Sequence, residues 1–288
     1  NLANSYSDTG QHAKALALRE ETLELMRAKL GTNHPHTLDS MVNLAVSYAD
    51  TGQHAEALAL HEETLERQRA KLGADHPDTL NSMNNLANSY IITGQHAKAL
   101  ALFKATLELR RAKLGPDHPD TLGTMSNLAI SYGNTGQHAQ ALALNEETLE
   151  LRRTKLGHEH PDTLMSMANL AGSYRDTGQH AKALALYEET LELRRAKLGH
   201  DHAHTLSSLH NHAMSYSDTG QHAKAQALYE ETLELRRAKL GADHPDTLRS
   251  MSRLANSFSD TGQHDKARRR SSCGVPSWAP TTRTRSPR

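Results

Sequence analysis

The chain has 288 residues, with 33 Lys+Arg against 33 Asp+Glu, 36% apolar residues, 4% aromatics, one Cys and one Trp. Balanced charge excludes a dedicated nucleic-acid binder, which carries a clustered basic excess, and no apolar run approaches the roughly 18 residues of a membrane helix. A single Cys excludes an internal disulfide framework and suits a reducing, cytoplasmic compartment; without an opening Met or secretory signal, the chain is expected to be a piece of something longer.

The first element is short. Residues 1–9 read as the end of a helix, closed at Gly10 within the motif TGQH. That motif returns at Gly52, Gly94, Gly136, Gly178, Gly220 and Gly262, each 42 residues on. A second series, Gly31, Gly73, Gly115, Gly157, Gly199 and Gly241, keeps the same 42-residue step without insertion or deletion. Each glycine ends an apolar-periodic segment, where a helix C-cap needs a left-handed residue. Each unit therefore contains two helices and two short turns.

In the unit from Asp75 to Leu114 the first helix carries Leu80, Met83, Leu86, Ala87 and Tyr90, a helical-period stripe. Two starts are open: Asp75 as the cap with Asp78 in the capping-box position, or His76 before Pro77 at the first helical residue. The second helix starts near Gln95 and carries Ala99, Leu100, Leu102, Phe103, Thr106, Leu107, Leu109 and Leu114, wide enough to touch two neighbours. No helix pair can bury its apolar face alone, so successive pairs must stack. Five complete pairs run from Thr37 to Leu240, with partial units at both ends, so residues 1–267 form one array. Uncapped ends predict end-to-end self-association.

After Ala267 the repeat gives way to a segment holding the only Cys (Cys273), the only Trp (Trp278) and six arginines without an acid. The peptide Leu233–Thr247 has a possible codon set that, read one base later, spells Ser271 through Arg285 in order. Residues 268–288 are therefore expected to be a disordered basic tail, an out-of-frame translation of the next repeat.

Chemistry is sparse. There is no GxxxxGK[ST] phosphate loop, GxGxxG or GxSxG elbow. The Glu pairs recur as copies on a charged helix face, and Arg236-Arg237 near a helix end complements the macrodipole. No catalytic residue, metal ligand or cofactor site is expected, and the protein is expected not to be an enzyme. Among 20 histidines the densest group is His200, His202, His204, His210 and His212, a possible metal-binding alternative. Most others are turn and cap residues copied once per unit.

The spacing of Met83, Leu86-Ala87, Tyr90, Ala99, Phe103 and Thr106 resembles the tetratricopeptide repeat. The 42-residue period, with LGxDHPDTL between units and NLAxSY in the first helix, looks like the kinesin light chain subclass. The resemblance implies an all-α, right-handed superhelical solenoid of helix-turn-helix repeats, whose first helices line a concave groove for a peptide or partner helix. It also implies an alternative, since similar arrays serve as sensor arms of larger signalling NTPases. In that groove the Asn before each Leu-Ala (Asn1, Asn43, Asn85, Asn127, Asn169 and Asn211) would form an amide ladder able to pair with a peptide backbone. Neighbouring positions vary from unit to unit, among them Asn88, Ile130, Met214 and Arg175, where selectivity could reside. Kinesin light chains use a positive groove for acidic, Trp-containing cargo. Here the cations are few (Arg175, Arg249, Arg253) and Asp39, Asp50 and Asp176 lie nearby, so a neutral-to-polar peptide fits better. No nucleic-acid or membrane partner is expected.

Overall fold

The computed structural model describes residues 2–260. The expectations for Asn1, Gly262 and the 268–288 tail fall outside them. Among the described residues there are thirteen helices and no strand: α1 (Leu2–Asp8), α2 (His12–Leu30), α3 (Pro35–Asp50), α4 (His54–Leu72), α5 (Pro77–Ile92), α6 (His96–Leu114), α7 (Pro119–Asn134), α8 (His138–Leu156), α9 (Pro161–Asp176), α10 (His180–Leu198), α11 (Ala203–Asp218), α12 (His222–Leu240) and α13 (Pro245–Asp260). They fall into two compact units, one ending at His158 and one starting at Glu159. Within each unit a helix packs chiefly on the helices before and after it, the stacked-pair pattern of a solenoid.

Local sequence sets the helix ends. Of the two possible starts for α5, the structure uses the histidine: His76 is the N-cap, and its Nδ1 accepts from the Asp78 backbone N–H at 3.2 Å, with Pro77 in the first turn. The same cap opens α3, α7 and α9, and it survives at His202 although Ala203 stands where the other copies have Pro. The TGQ turn is a Schellman closure. The Gln95 N–H reaches the Tyr90 carbonyl at 2.7 Å and the Gly94 N–H reaches Ile91 at 3.0 Å, with Gly94 at φ +76°. Thr93 Oγ1 donates to the Ser89 carbonyl at 2.9 Å, and Gln95 Nε2 donates to Thr93 Oγ1 at 3.1 Å. The other glycine differs from the left-handed expectation. Gly115 has φ +93° and ψ 163°, the mirror of an extended strand residue, a region essentially closed to side chains.

The core is shared between neighbours, as one pair's inability to bury its own face requires. Ala87, Ala99, Phe103, Leu107, Leu122, Met125 and Leu128, drawn from α5, α6 and α7, form one cluster. In the second unit Ala213, Ala225, Tyr229, Leu233, Leu254 and Phe258 do the same across α11, α12 and α13. Met41, Met83, Met125, Met167 and Leu209, at equivalent positions of their first helices, are all fully buried.

The structure corrects the reading of the paired arginines. The first of each pair is not a solvated dipole partner. Arg110, Arg152, Arg194 and Arg236 are buried. Arg110 donates to the Asp120 carbonyl (2.9 Å) and Thr124 Oγ1 (2.6 Å) on α7, and to Asn81 Oδ1 on α5. Arg194 likewise reaches the His204 carbonyl (3.0 Å) and Ser208 Oγ (2.8 Å) on α11, and the Leu164 carbonyl (3.1 Å) on α9. From a second helix, each of these two guanidiniums clasps two successive first helices. The signal was present in the sequence: Ala99, Phe103, Thr106 and Arg110 share the i, i+4, i+7, i+11 stripe that faces the core.

Arg111 and Arg195, each the second arginine of a pair, and Arg27 at the equivalent position link neighbouring repeats to glutamates at fixed spacings. Arg27–Glu63 (3.3 Å), Arg111–Glu147 (2.7 Å) and Arg195–Glu231 (2.6 Å) are each 36 residues apart. Lys113–Asp75 (2.8 Å), Lys155–Asp117 (2.5 Å) and Lys239–Asp201 (3.0 Å) are each 38 apart. Lys113 holds the Asp75 carboxyl below its usual range by hydrogen bond and charge. Tyr48 and Tyr90 donate to Glu20 and Glu62 at 2.8 and 2.7 Å, and burial plus that carboxylate pushes Tyr90 up to about 12. The glutamates are register contacts and not merely a solvated face.

Candidate functional site

With one helix face committed to the core, each first helix leaves its opposite face open. Positions at i, i+4 and i+7 form that stripe: Asp39, Asn43 and Val46 on α3; Asn81, Asn85 and Asn88 on α5; Gly123, Asn127 and Ile130 on α7; Met165, Asn169 and Gly172 on α9; Ser207, Asn211 and Met214 on α11. All are exposed or half-buried, whereas Leu38, Met41, Leu44 and Ala45 on the other face of α3 are buried.

The amides differ in what they do. Asn43 is exposed and lines a cavity of about 190 Å³ above α2, together with Asn4 from α1 and Arg19, His36 and Asp39. Arg19 organises that cavity: it donates to Asn4 Oδ1 at 3.0 Å, to the Asn43 carbonyl at 3.2 Å and to Ser47 Oγ. Asn127 donates from Nδ2 to Asn84 Oδ1 at 3.2 Å, so one of its amide hydrogens ties α7 to α5 inside the stack. Asn85, Asn169 and Asn211 are half-buried on the same stripe.

The variable positions diverge further. Ile130 is 47% exposed, with Val46 at 41% and Met165 at 44%, so the stripe presents separate apolar points among amides. Asn88 is half-buried. Met214 leans on the core cluster of Ala213 and Tyr229. Arg175 is held by acids of its own unit, Asp176 at 3.0 Å and Asp218 at 3.7 Å, so it offers little free positive charge. At Gly172 the Tyr187 hydroxyl lies 3.4 Å from where a Cβ would stand, leaving a notch in the stripe.

The histidine group disperses. His202 caps α11, His204 packs its ring 5.3 Å from it, His210 lies against Tyr229 and His212 stacks on Tyr216. Among the described residues no three His, Cys, Asp or Glu side chains converge to hold a metal ion. Among the same residues no helix is long and apolar enough to cross a membrane.

The tetratricopeptide repeat model matches the chain in six overlapping windows, 1–70, 38–112, 78–154, 120–196, 163–238 and 204–272. Among solved structures, the chain is similar to a Podosopora anserina protein of kinesin light chain type with nearly identical TPR-like repeats. That match has 31% identity, covers 72% of this chain and 98% of that one, and has a TM-score of 0.62. A single-substitution variant of the same protein gives 32%, 71% and 97%, with TM-score 0.64. BtubC (BKLC) from P. vanneervenii shares the fold at 20% identity, TM-score 0.66, covering 81% of this chain and 94% of that one. So does the signal transduction ATPase with a tetratricopeptide repeat sensor from Pyrococcus horikoshii, at 15% identity, TM-score 0.66, covering 93% of this chain and 39% of that one. No curated protein sequence matches the chain. The matched windows span all thirteen helices, and the chain belongs to the tetratricopeptide repeat family.

Proposed function

We propose that the chain is a non-enzymatic, cytoplasmic protein-interaction scaffold that binds an extended, neutral-to-polar peptide along the open stripe of its first helices. One observation carries the reading. Asn recurs at positions 43, 85, 127, 169 and 211, while the outward-facing residue three positions on varies from repeat to repeat (Val46, Asn88, Ile130, Gly172, Met214). A recurring amide can donate to and accept from any peptide backbone, and a varying neighbour can read side chains. Neutralisation of Arg175 by Asp176 and Asp218 argues against acidic ligands. The alternative, a sensor arm of a larger signalling NTPase, uses the same surface; the Pyrococcus horikoshii relative is an ATPase with such a sensor.

The test is a peptide array probed with the purified chain, then with Ile130→Asp and with the five asparagines changed to Ala. Binding should weaken for Ile130→Asp and be lost for the five-fold variant, with helicity retained in both. Peptides that bind both variants as well as the parent would place the ligand elsewhere.

A further inference from the structure

The repeats are near-copies, and at one core position of the first helix a single copy departs from the rest. At 44, 86, 128, 170 and 254 the residue is Leu, and each is buried in its first helix. The equivalent residue of α11 is His212, which is only 4% exposed. Both of its ring nitrogens are buried and make no hydrogen bond. Its ring stacks on Tyr216 with centroids 4.6 Å apart and an interplanar angle of 27°. Burial lowers its proton affinity, so the imidazole is neutral near pH 7 and holds one donor and one acceptor. An unpaired buried polar group is destabilising, and the replacement of Leu by His gains the chain no internal hydrogen bond that offsets it.

His212 lines a cavity of about 300 Å³ between α10 and α12, on the side of the second helices and away from the amide stripe. Leu191, Ala227 and Leu228 give it an apolar wall, and Tyr216 continues the flat surface of the imidazole. Glu188 and Glu192 line it too. Two further charges are occupied: Arg195 pairs with Glu231 at 2.6 Å, and Lys224 sits 5.1 Å over the Tyr216 ring.

We propose that this cavity is a binding site for a small planar aromatic molecule carrying an N–H or O–H donor. The ring lies against the apolar wall and the His212–Tyr216 stack, and its donor pairs with the acceptor nitrogen of His212 as the imidazole, whose nitrogens are both buried without a ligand, turns towards the cavity. The volume matches the lower end of small-ligand pockets, about 300 Å³, which suits a bicyclic ring. A partner protein's surface fits less well, because it would have to cover Glu188 and Glu192 with nothing to pair them.

Calorimetric titration of the whole chain with indole, and with its isostere indene, which lacks the N–H, tests the site. Saturable indole binding is expected, weaker by at least about tenfold for indene and for the His212→Leu variant, the loss that follows an unmade buried hydrogen bond. His212→Leu restores the residue of the other copies, so its unfolding midpoint should stay level or rise. The indole–indene comparison on the parent chain does not depend on that variant. Absence of saturable binding, equal binding of both probes, or unchanged indole affinity in a folded His212→Leu chain would each overturn the proposal.

Discussion

The two faces of a first helix obey different rules. The inward face and the second helices behind it carry the contacts that recur with a fixed number of residues between partners: 36 for Arg111–Glu147, 38 for Lys113–Asp75, 28 for Tyr90–Glu62, although one buried slot there also varies, as His61, Phe103, Asn145, Tyr187 and Tyr229. A change at one such site alters the contacts of two units. The outward stripe at 46, 88, 130, 172 and 214 runs Val, Asn, Ile, Gly, Met. Outside that buried slot, variation falls largely where fewer partners in the array constrain it, which makes the stripe the place to look for a ligand.

The sharpest way to break this contrast is to remove a guanidinium that serves the inward face. Arg110→Ala should destabilise the first unit by about 3 kcal/mol, since three charge-assisted bonds and a buried side chain are lost and Asn81 and Thr124 lose their partner. Its neighbour Arg111→Ala should cost less than about 1 kcal/mol, because the Arg111–Glu147 pair is more than a third exposed on both sides. Urea unfolding of the two variants checks the difference; equal losses would mean that Arg110 is no clasp.

That pair also shows what the sequence did and did not reveal. The helices, turns and shared core were legible because glycine spacing and apolar period repeat without a slip. The order of importance of two adjacent arginines was harder to see: charge suggested that both lie in water, and only the stripe through Ala99, Phe103 and Thr106 separates the buried one. The recurring asparagines were legible as a row in the sequence, whereas the Asn127–Asn84 bond depends on the distance between α5 and α7, which no local pattern encodes.

Next in size is an effect of acid. His61 occupies the slot that holds Phe103 in the next unit; it is 4% exposed, and burial pushes its pKa down to about 4. His210 in the second unit is likewise held to about 4, by burial and then by Arg236 and its neighbours. The unfolded chain titrates such histidines near 6.5, so between about pH 6.5 and 4 it binds more protons than the folded one. Stability is complete above that window and falls as pH drops through it, by about 2–3 kcal/mol for His61. Thermal unfolding at pH 7 and pH 4.5 should show a large drop for the parent and a smaller one for His61→Phe. A parent chain as stable at pH 4.5 as at pH 7 would exclude this origin.

Smaller again is the coupling across the Arg111–Glu147 pair. A double-mutant cycle should give roughly 0.3–1 kcal/mol at low salt and close to nothing at 1 M, as for an exposed ion pair. Coupling that persists at high salt would show the pair to be less accessible to ions than its exposure indicates.

The smallest expected effect on stability is on the stripe itself, and there the size of the effect is the argument. Exchanging residues between copies, Asn88→Ile or Ile130→Asn, puts at one stripe position what its counterpart already carries, so the local helix has been shown to accept it. Ile130 is 47% exposed and Asn88 half-buried, so unfolding free energy should move by less than about 0.5 kcal/mol. The set of peptides bound should nevertheless change, each exchange shifting preference at one point along the ligand and leaving its neighbours alone. A silent exchange in both measurements would mean that the variable positions drifted without a reader. A large loss of stability would mean that the stripe is part of the packing, and the distinction between the two faces would have to be abandoned.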